Sequence, residues 1–329
     1  MHRPGSRIIT TFTRTIGAGQ LSEGAQSGEV RSSSTAGVTD WALDGSDNSS
    51  ADRALAHEVV EAAPWFKKSV RVNRTYGHLA VNHLAMQRRI AQFLDLGCGL
   101  PTRNPRYPHT WESASAADRD ARVIHVDADR MVAQRARMML SGPSAHHPFV
   151  HADIRQILAI LKSPAVQSLD LQRPVGVLLH NVLPWITSDA DAHYILDTLR
   201  SWLPPGSAIS LTHATADLHP GQANAAADCF RNAGIPMRLR SAEQLRELLT
   251  PWGLLSPSMK PTGACFPTRR RTPLPDHHSG AYAAIAVHPD PAELAHEPST
   301  TQTGRTSQTR CPAHPGQHSC ECHQPPMPG

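Results

Sequence analysis

Residues 89–100 read RIAQFLDLGCGL, and this stretch decides the fold. The apolar run that leads to Asp95 has the length of a strand buried on both faces of a parallel sheet. Gly97 and Gly99 follow it, and residues without a Cβ allow a tight turn that a ligand can approach closely. Ligands of open α/β sheets bind beyond the carboxyl ends of the strands. The stretch therefore predicts a nucleotide-like ligand at this turn.

The spacing of the glycines separates two classes of cofactor. A dinucleotide-binding turn, G-x-G-x-x-G, has a third glycine at the position that Thr102 occupies here. The order Asp-x-Gly-x-Gly, with Asp95 at the strand end, instead resembles the first motif of class I methyltransferases that use S-adenosylmethionine (SAM). An NAD-dependent oxidoreductase is therefore the less favoured interpretation.

Length, charge and cysteine content exclude several other classes. The chain has 329 residues, which is enough for a domain with a sizeable core. Its net charge is +4 and its basic residues are scattered, so no nucleic-acid partner is predicted. No apolar run of roughly eighteen residues occurs, so no membrane-spanning helix is predicted. Cys98, Cys229 and Cys265 fall within the predicted domain and favour reduced thiols in the cytoplasm. The oligomeric state is not indicated.

Composition divides the chain into three parts. Residues 1–39 are rich in Gly, Ser and Thr without periodicity, which predicts a disordered leader. Order is predicted to begin near Trp41, with a helical cover over residues 40–88 and an α/β core over residues 89–289. Residues 290–329 are predicted to form a disordered tail. Their cysteines and histidines lack a paired C-x-x-C spacing, so no metal site is predicted there.

From residue 89 onward, strand and helix patterns alternate. Apolar runs of strand length are followed by helical patterns or by turns. After the first strand, six more are predicted at residues 122–127, 148–153, 175–179, 207–212, 254–261 and 281–287. The alternation predicts an α/β fold with a doubly wound, mostly parallel, seven-stranded sheet and helices on both faces.

Acidic residues end the first three strands. Asp127 ends the second strand, where a carboxylate can accept hydrogen bonds from both ribose hydroxyls of an adenosine. Asp153 ends the third strand, where a class I methyltransferase contacts the adenine amino group. Either acid could instead be a helix cap or a turn residue. Three acids at three successive strand ends favour the binding interpretation.

Several blocks of sequence together resemble an actinobacterial family of SAM-dependent methyltransferases. The blocks lie at residues 44–48, 51–53, 93–102, 126–129, 151–155 and 210–217. The resemblance covers about residues 40–289. It implies a class I methyltransferase (Rossmann-like) fold with SAM as cofactor, and we expect the acceptor to be a small molecule.

The predicted cofactor contacts combine these blocks with the strand ends. The core residues are Asp95, Gly97, Gly99, Asp127, Ala128, Asp153, Ile154 and Asn181. A turn and helix before the sheet could also fold over the cofactor. Asp47 or Asn48 would then bind the methionine amino group, and Arg53 the carboxylate. The alternative is that these three residues only cap and anchor the helix.

Two departures from the family pattern affect the acceptor. Residues 104–112 carry two prolines, which delay the next helix. Pro184 occupies the position at which related small-molecule O-methyltransferases have a general-base histidine. His180 and His213 are the candidate substitutes. Nitrogen or an already acidic group is therefore the favoured acceptor over an unactivated hydroxyl, and a SAM-binding or sensing protein without transferase activity is the alternative.

Overall fold

A computed structural model gives the structure of this protein for five segments of the chain. The described residues are 32–101, 106–139, 147–254, 259–266 and 276–289. Thr102, most of the predicted leader and the whole predicted tail lie outside them. Within these segments, no helix combines the length and the apolar character needed to cross a lipid bilayer.

Three helices precede the sheet and form the N-terminal cover. They are α1 (Thr35–Ala42), α2 (Ser50–Ala62) and α3 (Phe66–Arg88). The prediction that order begins near Trp41 is wrong, because α1 starts inside the predicted leader. Ser34 caps α1, since its hydroxyl accepts a hydrogen bond from the Gly37 amide at 3.0 Å.

Ser49 caps α2, and the same cap connects α2 to α1. The Ser49 hydroxyl accepts a hydrogen bond from the Asp52 amide at 3.1 Å. The Asp52 carboxylate accepts from the Ser49 amide at 2.7 Å, which completes a capping box. Its other oxygen accepts from the Ser34 amide at 2.7 Å. One carboxylate therefore stabilises the starts of two helices.

The sheet contains eight strands within the described residues. They are β1 (Gln92–Leu96), β2 (Arg122–Asp127), β3 (Phe149–His151), β4 (Gly176–His180), β5 (Ala208–Ala214), β6 (Gly253–Leu254), β7 (Lys260–Pro261) and β8 (Ala281–Val287). The order is β3-β2-β1-β4-β5-β8-β6, and β7 also pairs with β8. Strands β1 to β5 are parallel, whereas β8 is antiparallel to β5, β6 and β7. The mostly parallel sheet is thus confirmed.

The prediction of seven strands is corrected in one place. The run predicted as a single strand over residues 254–261 gives two short strands, β6 and β7, each paired with β8. Pro257 and Pro261 lie in that run, and a proline cannot donate a hydrogen bond to a neighbouring strand. A continuous strand is therefore disfavoured there.

Seven further α-helices follow β1 within the described segments. They are α4 (Thr110–Ala117), α5 (Arg130–Met139), α6 (Ile157–Leu161), α7 (Pro164–Gln167), α8 (Asp189–Trp202), α9 (Pro220–Asn232) and α10 (Ala242–Leu249). The start of α4 at Thr110 agrees with the predicted delay of this helix. Successive side chains of a strand point to opposite faces of the sheet. Phe93 accordingly packs with α3 and α4, and Leu94 with α6, α8 and α10. Helices therefore cover both faces, as predicted.

The order of the strands places a crevice beside β1. The chain continues from β1 to β2 on one side, and later returns to β4 on the other side. The carboxyl ends of β1 and β4 therefore flank the point at which the strand order reverses. Open α/β sheets bind their ligands at such a point.

Candidate active site

A cavity of about 330 Å³ opens at the carboxyl ends of β1, β2 and β4. This volume lies in the range of roughly 300–1,000 Å³ that is typical of small-molecule sites. Strand ends form its floor, and α1, α3 and α9 contribute the other walls. Helices α1 and α3 of the N-terminal cover therefore form part of the cavity wall, through other residues than Asp47, Asn48 and Arg53.

The turn after β1 has the conformation that its glycines permit. Gly97 has φ 73° and Gly99 has φ 70°, which is the left-handed region. A Cβ on Gly97 would overlap the Val182 side chain, so this glycine allows close packing against the residue that follows β4. Among the described residues, a Cβ on Gly99 would have only Arg74 within 4 Å, with Nη2 at 3.8 Å. Gly99 therefore borders open space in the cavity.

Asp127 holds this turn in place. Its Oδ2 accepts a hydrogen bond from the Gly99 amide at 2.8 Å, and its Oδ1 accepts from the Asp129 amide at 2.9 Å. Burial raises the pKa of Asp127 to about 6, with Asp129 and Asp95 adding to the effect, although the two backbone hydrogen bonds oppose it. The carboxylate lines the cavity and has lone pairs left for a ligand.

Asp95 is buried under the turn and is bound by two side chains. Thr110 Oγ1 donates to Asp95 Oδ2 at 2.7 Å, and His125 Nδ1 lies 3.3 Å from the same oxygen. Burial alone would raise the pKa of Asp95, but the contacts with His125 and Thr110 outweigh it and lower the pKa. Asp95 is thus a buried carboxylate at the cavity floor.

The residues after β2 and β3 reach the same cavity. Ala128, Asp153 and Ile154 line it, as predicted. Asp153 also caps the next helical turn, because its Oδ1 accepts from the Arg155 amide at 2.9 Å. Its carboxylate forms an ion pair with Arg155 at 2.6 Å, and this hydrogen bond lowers the pKa of Asp153. Asp153 therefore both caps this helical turn and lines the cavity.

His180 and Asn181 form the cavity wall at the end of β4. Asn181 adopts φ 59°, and its Oδ1 accepts from the Ala214 amide at 3.1 Å. His180 Nε2 lies 2.9 Å from Ser210 Oγ, which lies 3.2 Å from Tyr76 Oη. Burial lowers the pKa of His180 to about 4, although Asp95 acts in the opposite direction. His180 is therefore a positioned but weakly basic group.

Arg74 on α3 is the cavity residue that sequence reasoning missed. Its guanidinium reaches the glycine turn, where Nη2 lies 3.5 Å from the Leu100 carbonyl oxygen. That is its only hydrogen bond among the described residues, and a guanidinium has five N–H donors. Burial lowers the pKa of Arg74, while Asp95 opposes this shift. A partly buried cation with spare donors is suited to bind an anionic group.

One sequence signal could have placed α3 at the cavity. Gly77 lies in the middle of a 23-residue helix, where glycine costs roughly 1 kcal/mol relative to alanine. A Cβ there would lie 3.1 Å from His180 Nδ1. Gly77 therefore allows α3 to approach β4 closely. Since Arg74 lies three residues earlier, it shares this inward face.

The predicted N-terminal contacts are not in the cavity. Asp47 forms an ion pair with Arg135 at 2.5 Å, and Asn48 Nδ2 donates to the Asp40 carboxylate at 2.8 Å. Arg53 Nη1 donates to the carbonyl oxygen and to Oδ1 of Asn48, at 3.0 and 3.1 Å. None of the three lines the cavity. The prediction that they bind the methionine part is therefore corrected in favour of the anchoring alternative.

His213 is also misplaced for the predicted role of general base. Its side chain is fully buried in β5 and does not line the cavity. Nδ1 lies 2.7 Å from the Ala214 carbonyl oxygen, and Nε2 lies 3.0 Å from Arg240 Nη1. Both ring nitrogens are therefore occupied, and burial lowers the pKa of His213 to about 3. His213 therefore has a structural role.

The position of Pro184 changes the argument about a missing base. Pro184 is buried in a short 3₁₀ turn, and its carbonyl oxygen accepts from the Arg238 amide at 2.7 Å. Val182 and Trp185 line the cavity, whereas Pro184 does not. A base at residue 184 would therefore not face the cavity, and the sequence-based reason for a missing base does not hold.

The geometry resembles that of known proteins over most of the chain. A family model described as S-adenosyl methyltransferase matches residues 23–289. The chain belongs to this S-adenosyl methyltransferase family. The match begins before the predicted domain boundary at residue 40, which agrees with α1 as part of the domain. It also confirms the family resemblance drawn from the sequence blocks.

Two solved structures are similar to this S-adenosyl methyltransferase. One is a DUF574 family protein from Streptomyces avermitilis, with 28% identity and a TM-score of 0.74 over 78% of this chain and 98% of that one. The other, a candidate methyltransferase from Thermobifida fusca, has 30% identity and a TM-score of 0.72 over 79% of this chain and 96% of that one. No curated protein sequence matches the chain significantly.

Family and fold together establish the class of this S-adenosyl methyltransferase. The class I methyltransferase fold is confirmed, and the chain is a SAM-dependent methyltransferase. The NAD-dependent interpretation is thereby disfavoured, and a protein that only binds or senses SAM is not favoured either.

Proposed function

We propose that this enzyme transfers the methyl group of SAM to a small-molecule acceptor, at a nitrogen or an already acidic group. The observation that supports this most is the combination of a glycine turn, a partly buried cation with spare donors and a weakly basic histidine in one cavity. These features belong to Gly97, Gly99, Arg74 and His180.

The groups present fit the parts of SAM. The positive-φ turn at Gly97 and Gly99 leaves room for the cofactor to approach the backbone. Asp127 and Asp153 line the cavity, and in this proposal they accept hydrogen bonds from the ribose hydroxyls and from the adenine amino group, respectively. Arg74 has the charge and the free donors that a methionine carboxylate requires. We therefore assign these four contacts to SAM.

SAM supplies a methyl group that is bonded to a sulfonium. The acceptor lone pair forms the new bond to the methyl carbon. The S–CH₃ bond breaks with its electrons going to sulfur, and S-adenosylhomocysteine leaves. The protein contributes positioning and exclusion of water. His180 is the titratable cavity residue closest to the end of β4. A base with a pKa of about 4 removes a proton from an alcohol poorly, because the efficiency of a general base follows its basicity.

An acceptor series tests the preference for the attacking atom. The full-length protein is incubated with methyl-labelled SAM and three compounds with the same ring: 1-naphthylamine, 1-naphthol and 1-naphthalenemethanol. We expect the amine and the more acidic naphthol to be methylated and the alcohol to react at least about a hundredfold more slowly. Methylation of the alcohol at the rate of the amine would overturn the preference. No methyl transfer to any of the three, together with no SAM binding, would overturn the proposed function.

Replacing Gly99 with valine should weaken SAM binding at least tenfold, which is about 1.4 kcal/mol. A β-branched residue is strained at φ 70°, so the turn would leave the conformation that the cofactor needs. The fold should persist, because within the part of the chain that the structure describes the new Cβ meets only the end of the Arg74 side chain. Calorimetric titration with SAM measures the effect. Unchanged affinity in a variant with a native circular dichroism spectrum would contradict it.

Asp127→Asn should weaken SAM binding by roughly 1.5–3 kcal/mol, which is about tenfold to over a hundredfold. The amide keeps the shape but loses the charge and one acceptor oxygen. Asp129→Asn is the matched control, because Asp129 follows the same strand and does not line the cavity. If both variants bind SAM like the wild type, Asp127 is a turn residue only.

We also propose that the enzyme works in the cytoplasm. Two cysteines of the described domain, Cys98 and Cys229, are free thiols. Free thiols are typical of a reducing compartment. Fractionation of the source cells with an antibody against the chain checks this location.

A further inference from the structure

Four aromatic rings line one part of the cavity, and we call this the aromatic part. It is formed by Trp65, Phe66, Trp185 and Phe230, together with Met237. The centroid of the Phe230 ring lies 5.2 Å from that of Trp185, at an interplanar angle of 67°, and 6.1 Å from that of Phe66, at 56°. Such edge-to-face contacts fix the rings relative to one another.

The helix behind these rings leaves space between them. Ala223, Ala226 and Phe230 lie on one face of α9, at spacings of three and four residues, and all three line the cavity. The two alanines do not fill the space beside the Phe230 ring, as larger side chains would. A flat molecule can therefore lie against this face.

Charge is distributed unevenly over the cavity. The charged side chains among its described lining residues are Arg74, Asp95, Asp127, Asp153 and Arg155. All five lie at the glycine turn or at the ends of β2 and β3, in the part assigned to SAM. A charged group bound in the aromatic part would be removed from water without a partner of opposite charge, which is strongly unfavourable.

From these observations we infer that the acceptor is a small planar aromatic compound with no charged group apart from its attacking atom. The inference rests on the proposed function, because it takes the aromatic part as the acceptor site next to bound SAM. It narrows that proposal, which specifies only the type of attacking atom.

A pair of fluorescent probes tests the inference on the full-length protein. 1-Naphthylamine is uncharged at neutral pH, and 5-amino-1-naphthalenesulfonate adds one negative charge to the same rings. Each probe is titrated into protein saturated with S-adenosylhomocysteine, whose own binding is first measured by calorimetry. We expect the uncharged probe to bind at least about tenfold more tightly, because the sulfonate finds no counterion.

Three variants locate the binding of the probe. Trp185→Ala and Phe230→Ala should each weaken 1-naphthylamine about two- to thirteenfold, the range for one aromatic pair. Met237→Lys adds a cation to the aromatic part and should strengthen binding of the sulfonate at least about tenfold. Tyr194→Ala is the control, because Tyr194 is exposed on α8. It should bind both probes like the wild type.

The outcomes separate the two proposals. Failure of S-adenosylhomocysteine to bind would overturn the proposed function, whatever the probes do. Normal binding of S-adenosylhomocysteine with equal affinity for both probes would overturn the inference alone. So would wild-type probe affinities in Trp185→Ala and Phe230→Ala, or an unchanged preference in Met237→Lys.

Discussion

Replacing Arg74 with glutamine will weaken SAM binding by about 2–5 kcal/mol, or roughly thirtyfold to several thousandfold. Arg74 is a partly buried cation beside the glycine turn, and its single hydrogen bond among the described residues is a long one. We propose that the methionine carboxylate of SAM binds to the remaining donors. Without the guanidinium, that carboxylate would be desolvated and unpaired. Calorimetric titration of the variant with SAM measures the loss.

Two controls separate this role from a structural one. Arg71→Gln changes an arginine of the same helix whose guanidinium contacts Ala42 and Asp44, outside the cavity. It should bind SAM like the wild type. Decarboxylated SAM lacks the carboxylate and should bind equally to the wild type and to Arg74→Gln. If Arg74→Gln weakens SAM and its decarboxylated form by the same factor, Arg74 does not bind the carboxylate.

Lowering the pH from 7 to 5 will destabilise the folded protein by several kcal/mol. Burial lowers the pKa of His78 and of His213 to about 3, and that of His180 to about 4. The positive charge of Arg74 adds to this effect at His78 and His180, and that of Arg240 adds to it at His213. These histidines stay neutral in the folded state, whereas they become charged below about pH 6.5 when unfolded. The unfolded state thus binds more protons, so stability is complete above pH 6.5 and falls as the pH decreases.

The size of the effect follows from the same values. At pH 5, each histidine costs about 2 kcal/mol, or about 6 kcal/mol for the three. Asp127, whose pKa is raised to about 6, takes up a proton in the folded state and offsets about 1–1.5 kcal/mol. Urea unfolding at both pH values measures the net loss. The loss of stability between pH 7 and pH 5 should be about 2 kcal/mol smaller in His213→Gln than in the wild type. It should be unchanged in His193→Gln, which alters an exposed histidine of α8. Equal losses in all three proteins would contradict this account.

The sheet could be predicted from sequence because its signals are local. An apolar run, an acid and a pair of glycines mark the end of β1 within a few residues, and later strands repeat the run and the acid. The helix α1 carries no such signal, since its residues include Gly37 and the β-branched Thr35, Val38 and Thr39. Contacts with α2, among them the packing of Val38 against Leu55, stabilise it instead.

Some residues of the candidate site could likewise be predicted from sequence, and others could not. The predicted strand-end residues line the cavity, because parallel strands bring their carboxyl ends to one edge of the sheet. Arg74 was missed because α3 also carries Lys67, Lys68 and Arg71, and the local sign of the inward face, Gly77, was not used to choose among these cations. Asp47 and Asn48 were placed wrongly because short polar side chains also bind nearby backbone and side chains.

The helix α1 has a practical consequence for anyone who shortens this chain. Thr35, Ala36 and Thr39 form part of the cavity wall, and Ser34 connects α1 to the carboxylate of Asp52. A truncated protein that starts at residue 40 would lose that wall and expose the cavity to water. If such a fragment were inactive, the cause would then be that water enters the cavity, although every strand-end residue is still present. Expression boundaries for crystallisation or assay should therefore begin before residue 32.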